Sequence, residues 1–198
     1  MATKELLYYI PAGQYGKEGV LSLLEQHPEI KFVSLVGIDL AGNDTDEKIP
    51  MAAFFDDYEA FFEGRAVQTD GSSVVLTNIA TLNNARVDMW GDPSVNWFVD
   101  YNYENIDEAT GLPTGTLRIP AFLMHNYRYV DSRSILKRSC DYVRAELLSL
   151  IKEKGVPGMP HVKADDVVDI VFTSATELEF WVKTPSKTVT KKELSVSQ

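Results

Sequence analysis

Gln68-Thr69-Asp70-Gly71-Ser72-Ser73, followed by Val87-Asp88-Met89-Trp90-Gly91-Asp92-Pro93, is the stretch on which the reading of this chain turns. Asp-Gly is a turn pair: glycine reaches positive φ without steric cost, and the aspartate can bond the backbone just beyond it. Two serines then add hydroxyls and backbone N–H groups in a segment with no hydrophobic period. The local reading is a polar loop. Asp88 is placed differently, at the end of a short β-like run, Ala85-Arg86-Val87, and ahead of Met89-Trp90. A turn has no need of it. The stretch therefore sets one carboxylate on a glycine-serine loop and a second at a strand end.

Upstream of it, Leu6 to Ile10 reads as a short strand and Lys17 to His27 as a helix. Val20, Leu23, Leu24 and His27 share one helical face, and Pro28 ends the helix. Lys31 to Asp39 is rich in β-formers. Gly42-Asn43-Asp44 supplies turn chemistry, and Lys48-Ile49-Pro50 is expected to start a return strand. Met51 to Phe62 reads as a helix with Phe54, Phe55, Tyr58, Phe61 and Phe62 on its buried side, closed by Gly64 as a C′ residue. Downstream, Val95 to Tyr101 alternates as a strand, Asn105 to Gly115 is a polar loop, and Thr116 to Tyr129 returns as strand. Several strands with one or two helices across them make an α+β layout for residues 1–130.

Residues 131–198 change character. Asp131 is placed as the N-cap of a helix that runs to about Lys154 and stops at Gly155, with Ile135, Leu136, Ser139, Tyr142 and Val143 expected inward. Val167 to Val182 alternates as a strand. Val168, Ile170, Phe172, Leu178, Phe180 and Val182 share the core-facing parity, and Glu177 and Glu179 share the other. Two such carboxylates lie ~6–7 Å apart at Cα and repel by ~2–3 kcal/mol at an effective dielectric of ~20, and by under ~1 kcal/mol in water. On an open strand face they are simply solvated. In a pocket they require cations, and hard carboxylate oxygens suit Mg²⁺ or Mn²⁺.

Composition narrows the classes. A formal net charge of −10 gives no basic face for nucleic acid or an anionic membrane. Cys140 is the single cysteine, so no internal disulfide forms, which suits a reducing cytoplasm. The apolar run from Leu6 to Ala12 is too short to span a bilayer and has no basic leader before it. No repeat, heptad or zinc spacing is evident, and His27, His125 and His161 are scattered, reading as surface or packing residues.

In this order the motifs resemble glutamine synthetase. That family has a Phe-Asp-Gly-Ser-Ser loop, then Ser-Asp-Met and Pro-Asp, an Asp-Pro-Arg helix start and a Glu-x-Glu-Phe strand. This chain has Asp70-Gly71-Ser72-Ser73, Asp88-Met89, Asp131-Ser132-Arg133 and Glu177-Leu178-Glu179-Phe180. The resemblance spans roughly Lys31 to Val182. It implies a β-grasp-like N-terminal domain followed by the first helix and strand of a catalytic domain, the front part of a longer enzyme. By resemblance the activity is ATP-dependent amidation of the glutamate γ-carboxylate by ammonium. It implies Asp70 as the carboxylate that takes the ammonium proton, Asp88 as a second acid, and Gly71, Ser72 and Ser73 as loop-shaping. It also implies Glu177 and Glu179 as ligands of separate Mg²⁺ or Mn²⁺ ions, and a homo-oligomeric ring in which Asp70 serves a neighbour's site. Thr69 stands where the family has Phe, Arg86-Val87 where it has Glu-Ser, and the interval from Asp70 to Asp88 is longer. A γ-glutamyl ligase for another amine, and a non-catalytic β-grasp module for assembly or regulation, stay open as alternatives.

Overall fold

The computed structural model describes residues 5–75, 86–177 and 179. By contact density the chain divides into two units, 1–146 and 147–198. The first holds the sheet, and its spine is β7 (Pro113–His125), a strand of 13 residues. Alternation of Leu117, Ile119, Ala121 and Leu123, all fully buried, makes one face of β7 a continuous apolar ridge. Its first part lies between β6 (Trp97–Ile106) and β2 (Ile30–Ile38), with Phe98 and Ser34 both opposite Arg118. Its second part pairs with β5 (Arg86–Gly91), which in turn pairs with β4 (Val67–Asp70). β1 (Tyr9–Ile10) adds to β6, β3 (Asp44–Pro50) to β2, and β8 (Arg128–Tyr129) to the end of β7. The result is a mixed sheet, antiparallel except for the β2–β7 pair.

Helices cover the ridge. α1 (Lys17–Glu25) buries Val20 and Leu24, and α2 (Met51–Asp56) buries Met51 and Phe54. Phe54 packs against Phe61 and Tyr58 at ring separations of 5.0 and 5.1 Å, and Phe62 stacks on Trp97 at 5.3 Å. These rings are core, as their spacing implies, but the helix is shorter than its apolar pattern. It stops at Asp56, and a single 3-10 turn, Glu59–Phe61, carries the rest. Gly64 takes φ +68°, but it lies beyond the caps of both α2 and the 3-10 turn, so it is not the C′ residue of the helix expected there.

Two boundaries differ from expectation for local reasons. Lys48-Ile49-Pro50 ends β3 instead of starting it, because the turn closes early: the Asp39 carboxylate takes the N–H groups of Ala41 and Asn43. The last strand breaks at Asn126 and Tyr127, both at positive φ, which folds β8 back on β7. Asp131 does cap α3 (Ser132–Lys154), its Oδ1 accepting from Ser134 N at 2.8 Å, and Gly155 ends that helix at φ +80°. Yet Leu136, Tyr142 and Val143, expected inward, are exposed, as is Ser139. Of the residues of α3 only Ser134 is buried.

The second unit contains the end of α3 and one 3-10 turn, Ala164–Asp166. The strand expected over Val167 to Val182 is absent from its described part: residues 167–177 have no ladder partner, and Val168 is 88% exposed. Alternation marks which face a strand could bury, but no neighbouring strand takes up these backbone groups. Leu178 and Phe180 to Val182 lie outside the described residues.

Candidate functional site

β4 and β5 bring the two acids of the opening stretch together. They run antiparallel with Gln68 opposite Asp88 and Asp70 opposite Arg86. Opposed residues share a face and neighbours along a strand alternate, so Gln68, Asp70, Arg86 and Asp88 all lie on one side. The other side carries Val67, Val87 and Met89, which are buried and hold the pair of strands on the core. Gln68-Thr69-Asp70 is thus strand, not loop, and Asp88 lies within β5 instead of at a strand end.

The two acids have different partners. Arg86 Nε donates to Asp88 Oδ1 at 2.6 Å. With the Gln68 amide oxygen turned towards it, the same guanidinium also donates there at 3.2 Å. Arg86 is held above its usual value by its hydrogen bond to that carboxylate. Asp70 caps a 3-10 turn, Gly71–Ser73, its Oδ1 accepting from Ser72 N at 2.7 Å. The Ser72 hydroxyl, and after it the Ser72 N–H, hold the Asp70 carboxyl below the ordinary aspartate value. Among the described residues no cation pairs with Asp70. Gly71 starts this right-handed turn and so does not use the positive φ expected of it. It is buried, whereas Ser72 and Ser73 face solvent.

Two carboxylates that the sequence reading gave no role support this face. Asp39, fully buried at the end of β2, accepts from Ala41 N, Asn43 N, Asn43 Nδ2 and Val75 N at 2.8 to 3.1 Å. Burial pushes its carboxyl up, but the bonds from Val75, Asn43 and Ala41 outweigh that and bring it below the usual value. A strand-ending Asp before Ala41-Gly42-Asn43 was the available signal for the local half of this. Asp92, 2% exposed, accepts from Ser94 N and Oγ and from Arg133 Nη2 at 2.5 Å. There too burial raises the carboxyl, and Ser94 and Arg133 together bring it below its ordinary range. Arg133 also lies over the Phe122 ring, 5.0 Å from its centroid. The Asp-Ser-Arg helix start thus fastens α3 to the chain leaving β5.

Glu177 and Glu179 are exposed on irregular backbone. Among the described residues no three of His, Cys, Asp and Glu gather where they could hold a metal ion. His27 bonds Glu29 Oε1 at 2.8 Å and His125 sits 3.0 Å from the Arg86 carbonyl, both packing roles. Among the described residues no helix is long and apolar enough to cross a membrane.

No protein-family model matches the chain. No curated protein matches it either. Among solved structures it is similar to the glutamine synthetase of Plasmodium falciparum, seen by cryo-electron microscopy, at 15% identity and a TM-score of 0.45. The alignment covers 69% of this chain, which spans about a quarter (24%) of that synthetase chain.

Proposed function

We propose that this chain is the front part of a glutamine synthetase-like ligase, and that it contributes the acidic face that receives the amine. The observation that carries the reading is Asp70: an exposed carboxylate, ionised and without a cation partner among the described residues, two register positions from Asp88 on the same face. The order of motifs supports it, from Asp70-Gly71-Ser72-Ser73 through Asp88 and Asp131-Ser132-Arg133 to Glu177 and Glu179. In this reading ATP activates the γ-carboxylate of glutamate with Mg²⁺ or Mn²⁺ present, on residues other than those of this face. Asp70 attracts ammonium and takes the proton that ammonium must lose before attack. A carboxylate held below its usual value stays charged, so Asp70 acts first as the cation's counter-charge and then as its base. Asp88 keeps the Arg86 guanidinium away from Asp70, a supporting role. Gly71, Ser72 and Ser73 shape the turn, and a homo-oligomer would let the face serve a neighbour.

A related γ-glutamyl ligase for another amine is the second reading, supported by Thr69 where the family has Phe and Arg86-Val87 where it has Glu-Ser. Both are tested with the gene product that contains this chain, supplied with ATP, glutamate, Mg²⁺ and either ammonium or a panel of primary amines. Amine-dependent phosphate release with a γ-glutamyl product is expected. Release with none of them would leave the non-catalytic module.

A further inference from the structure

Asp39 follows β2 and Asp70 ends β4, strands that are not neighbours, yet one chain segment links the two residues. Asp39 Oδ1 closes the β2–β3 hairpin on itself, through Ala41 N and Asn43 N. Oδ2 reaches outside the hairpin: besides Asn43 Nδ2 it accepts from Val75 N at 3.0 Å. Leu40 N donates to Val75 O at 3.3 Å, so both backbone groups of Val75 are held. The Gly71–Ser73 turn is thereby clamped twice, by the β4–β5 ladder before it and by the Asp39 corner after it. Buried Val74 lies between turn and clamp. A hairpin corner needs only its own donors; the bond to Val75 adds nothing to it.

We propose that Asp39 is a positioning residue, whose buried carboxylate fixes the far end of the Gly71–Ser73 turn and so holds Asp70 in place on the open face of β4 and β5. Four donors converge on Asp39, and both oxygens are used. An amide would offer one oxygen and turn its NH₂ against a donor. A three-residue turn held at one end samples many directions, and held at both ends few, so the clamp lowers the ordering cost of presenting Asp70 to a ligand. The functional consequence rests on the ligase reading; the positioning itself does not.

The test uses the full chain and follows Ser72 amide exchange and the Asp70 carboxyl titration by NMR. In Asp39→Asn the Ser72 amide should exchange about tenfold faster, the worth of one hydrogen bond to a charged acceptor, with the Leu35 and Leu117 amides unchanged. The Asp70 titration should move up towards the ordinary aspartate value as Ser72 leaves it. Val75→Pro breaks the same bond from the other end and spares the hairpin, since Val74 at φ −106°, ψ 111° already suits a residue before proline. It should reproduce both changes, even where Asp39→Asn fails to fold. Asn43→Ala, which removes a hairpin donor but not Val75, should leave Asp70 as it is. Unchanged Ser72 exchange and Asp70 titration in Val75→Pro, or equal changes in Asn43→Ala, would overturn the proposal. In the gene product the amine KM should rise in Val75→Pro. A titration that moves without any change in amine dependence upholds the clamp and removes the ligase reading.

Discussion

Burying a carboxylate costs several kcal/mol unless donors replace its water, and in this molecule each buried aspartate shows which donors do so. Asp39 and Asp92 are both held below the ordinary aspartate value, so near pH 4 the folded chain binds fewer protons at these sites than the unfolded chain. Their contribution is therefore complete above the unfolded value and is lost as pH falls through the folded ones. Urea midpoints should fall between about pH 5 and pH 2, and more gently in Asp92→Asn; parallel profiles would show that Asp92 adds nothing. Arg133→Met leaves Asp92 with Ser94 alone. Because Arg133 is 37% exposed, its loss should cost about 1–3 kcal/mol in urea unfolding, below the cost of breaking a fully buried pair. Glu179 belongs to a different chemistry. If it ligates a divalent ion in the assembled enzyme, Glu179→Gln there raises the Mn²⁺ concentration needed for activity. An unchanged requirement would return it to a solvated side chain.

At the scale of elements, what was legible in the sequence was local. The Asp131 cap and the Gly155 stop each depend on a few neighbouring residues, so their chemistry is written in one short stretch. The parallel β2–β7 pairing and the Asp92–Arg133 pair join residues far apart, and no local pattern announces them. Residues 167–177 show the converse: their alternation is real, but a strand needs a partner as well as a period. Tyr127 at positive φ was hidden because a bulky residue there is rare. The same contrast separates two glycines at positive φ, Gly64 and Gly155. A Cβ on Gly155 meets nothing within 4 Å, so Gly155→Ala should cost about 1 kcal/mol, from backbone strain alone. A Cβ on Gly64 would lie 1.8 Å from Trp90 Nε1, so Gly64→Ala should cost about 2–4 kcal/mol. Equal costs in denaturant melts would mean that Trp90 yields freely.

For the whole molecule, the candidate site was half legible. The acids Asp70 and Asp88 stood out by type and order, while the Arg86 guanidinium that neutralises one and leaves the other free appears only when β4 meets β5. In the proposed reading this chain supplies one charge, that of Asp70, to a site that other residues complete. The purified chain alone, given ATP, glutamate and ammonium, is expected to show no turnover, and measurable turnover would contradict that division of labour. The central claim is that Asp70 receives the amine. Asparagine keeps the acceptor that caps the Gly71–Ser73 turn but carries neither the charge nor the base. The decisive measurement is steady-state kinetics of the gene product against varied ammonium, wild type beside Asp70→Asn, with a thermal melt of each. The account predicts equal melts and a loss of about 10²–10⁴-fold in kcat/KM for ammonium. Wild-type kcat/KM in a normally folded Asp70→Asn variant would contradict it.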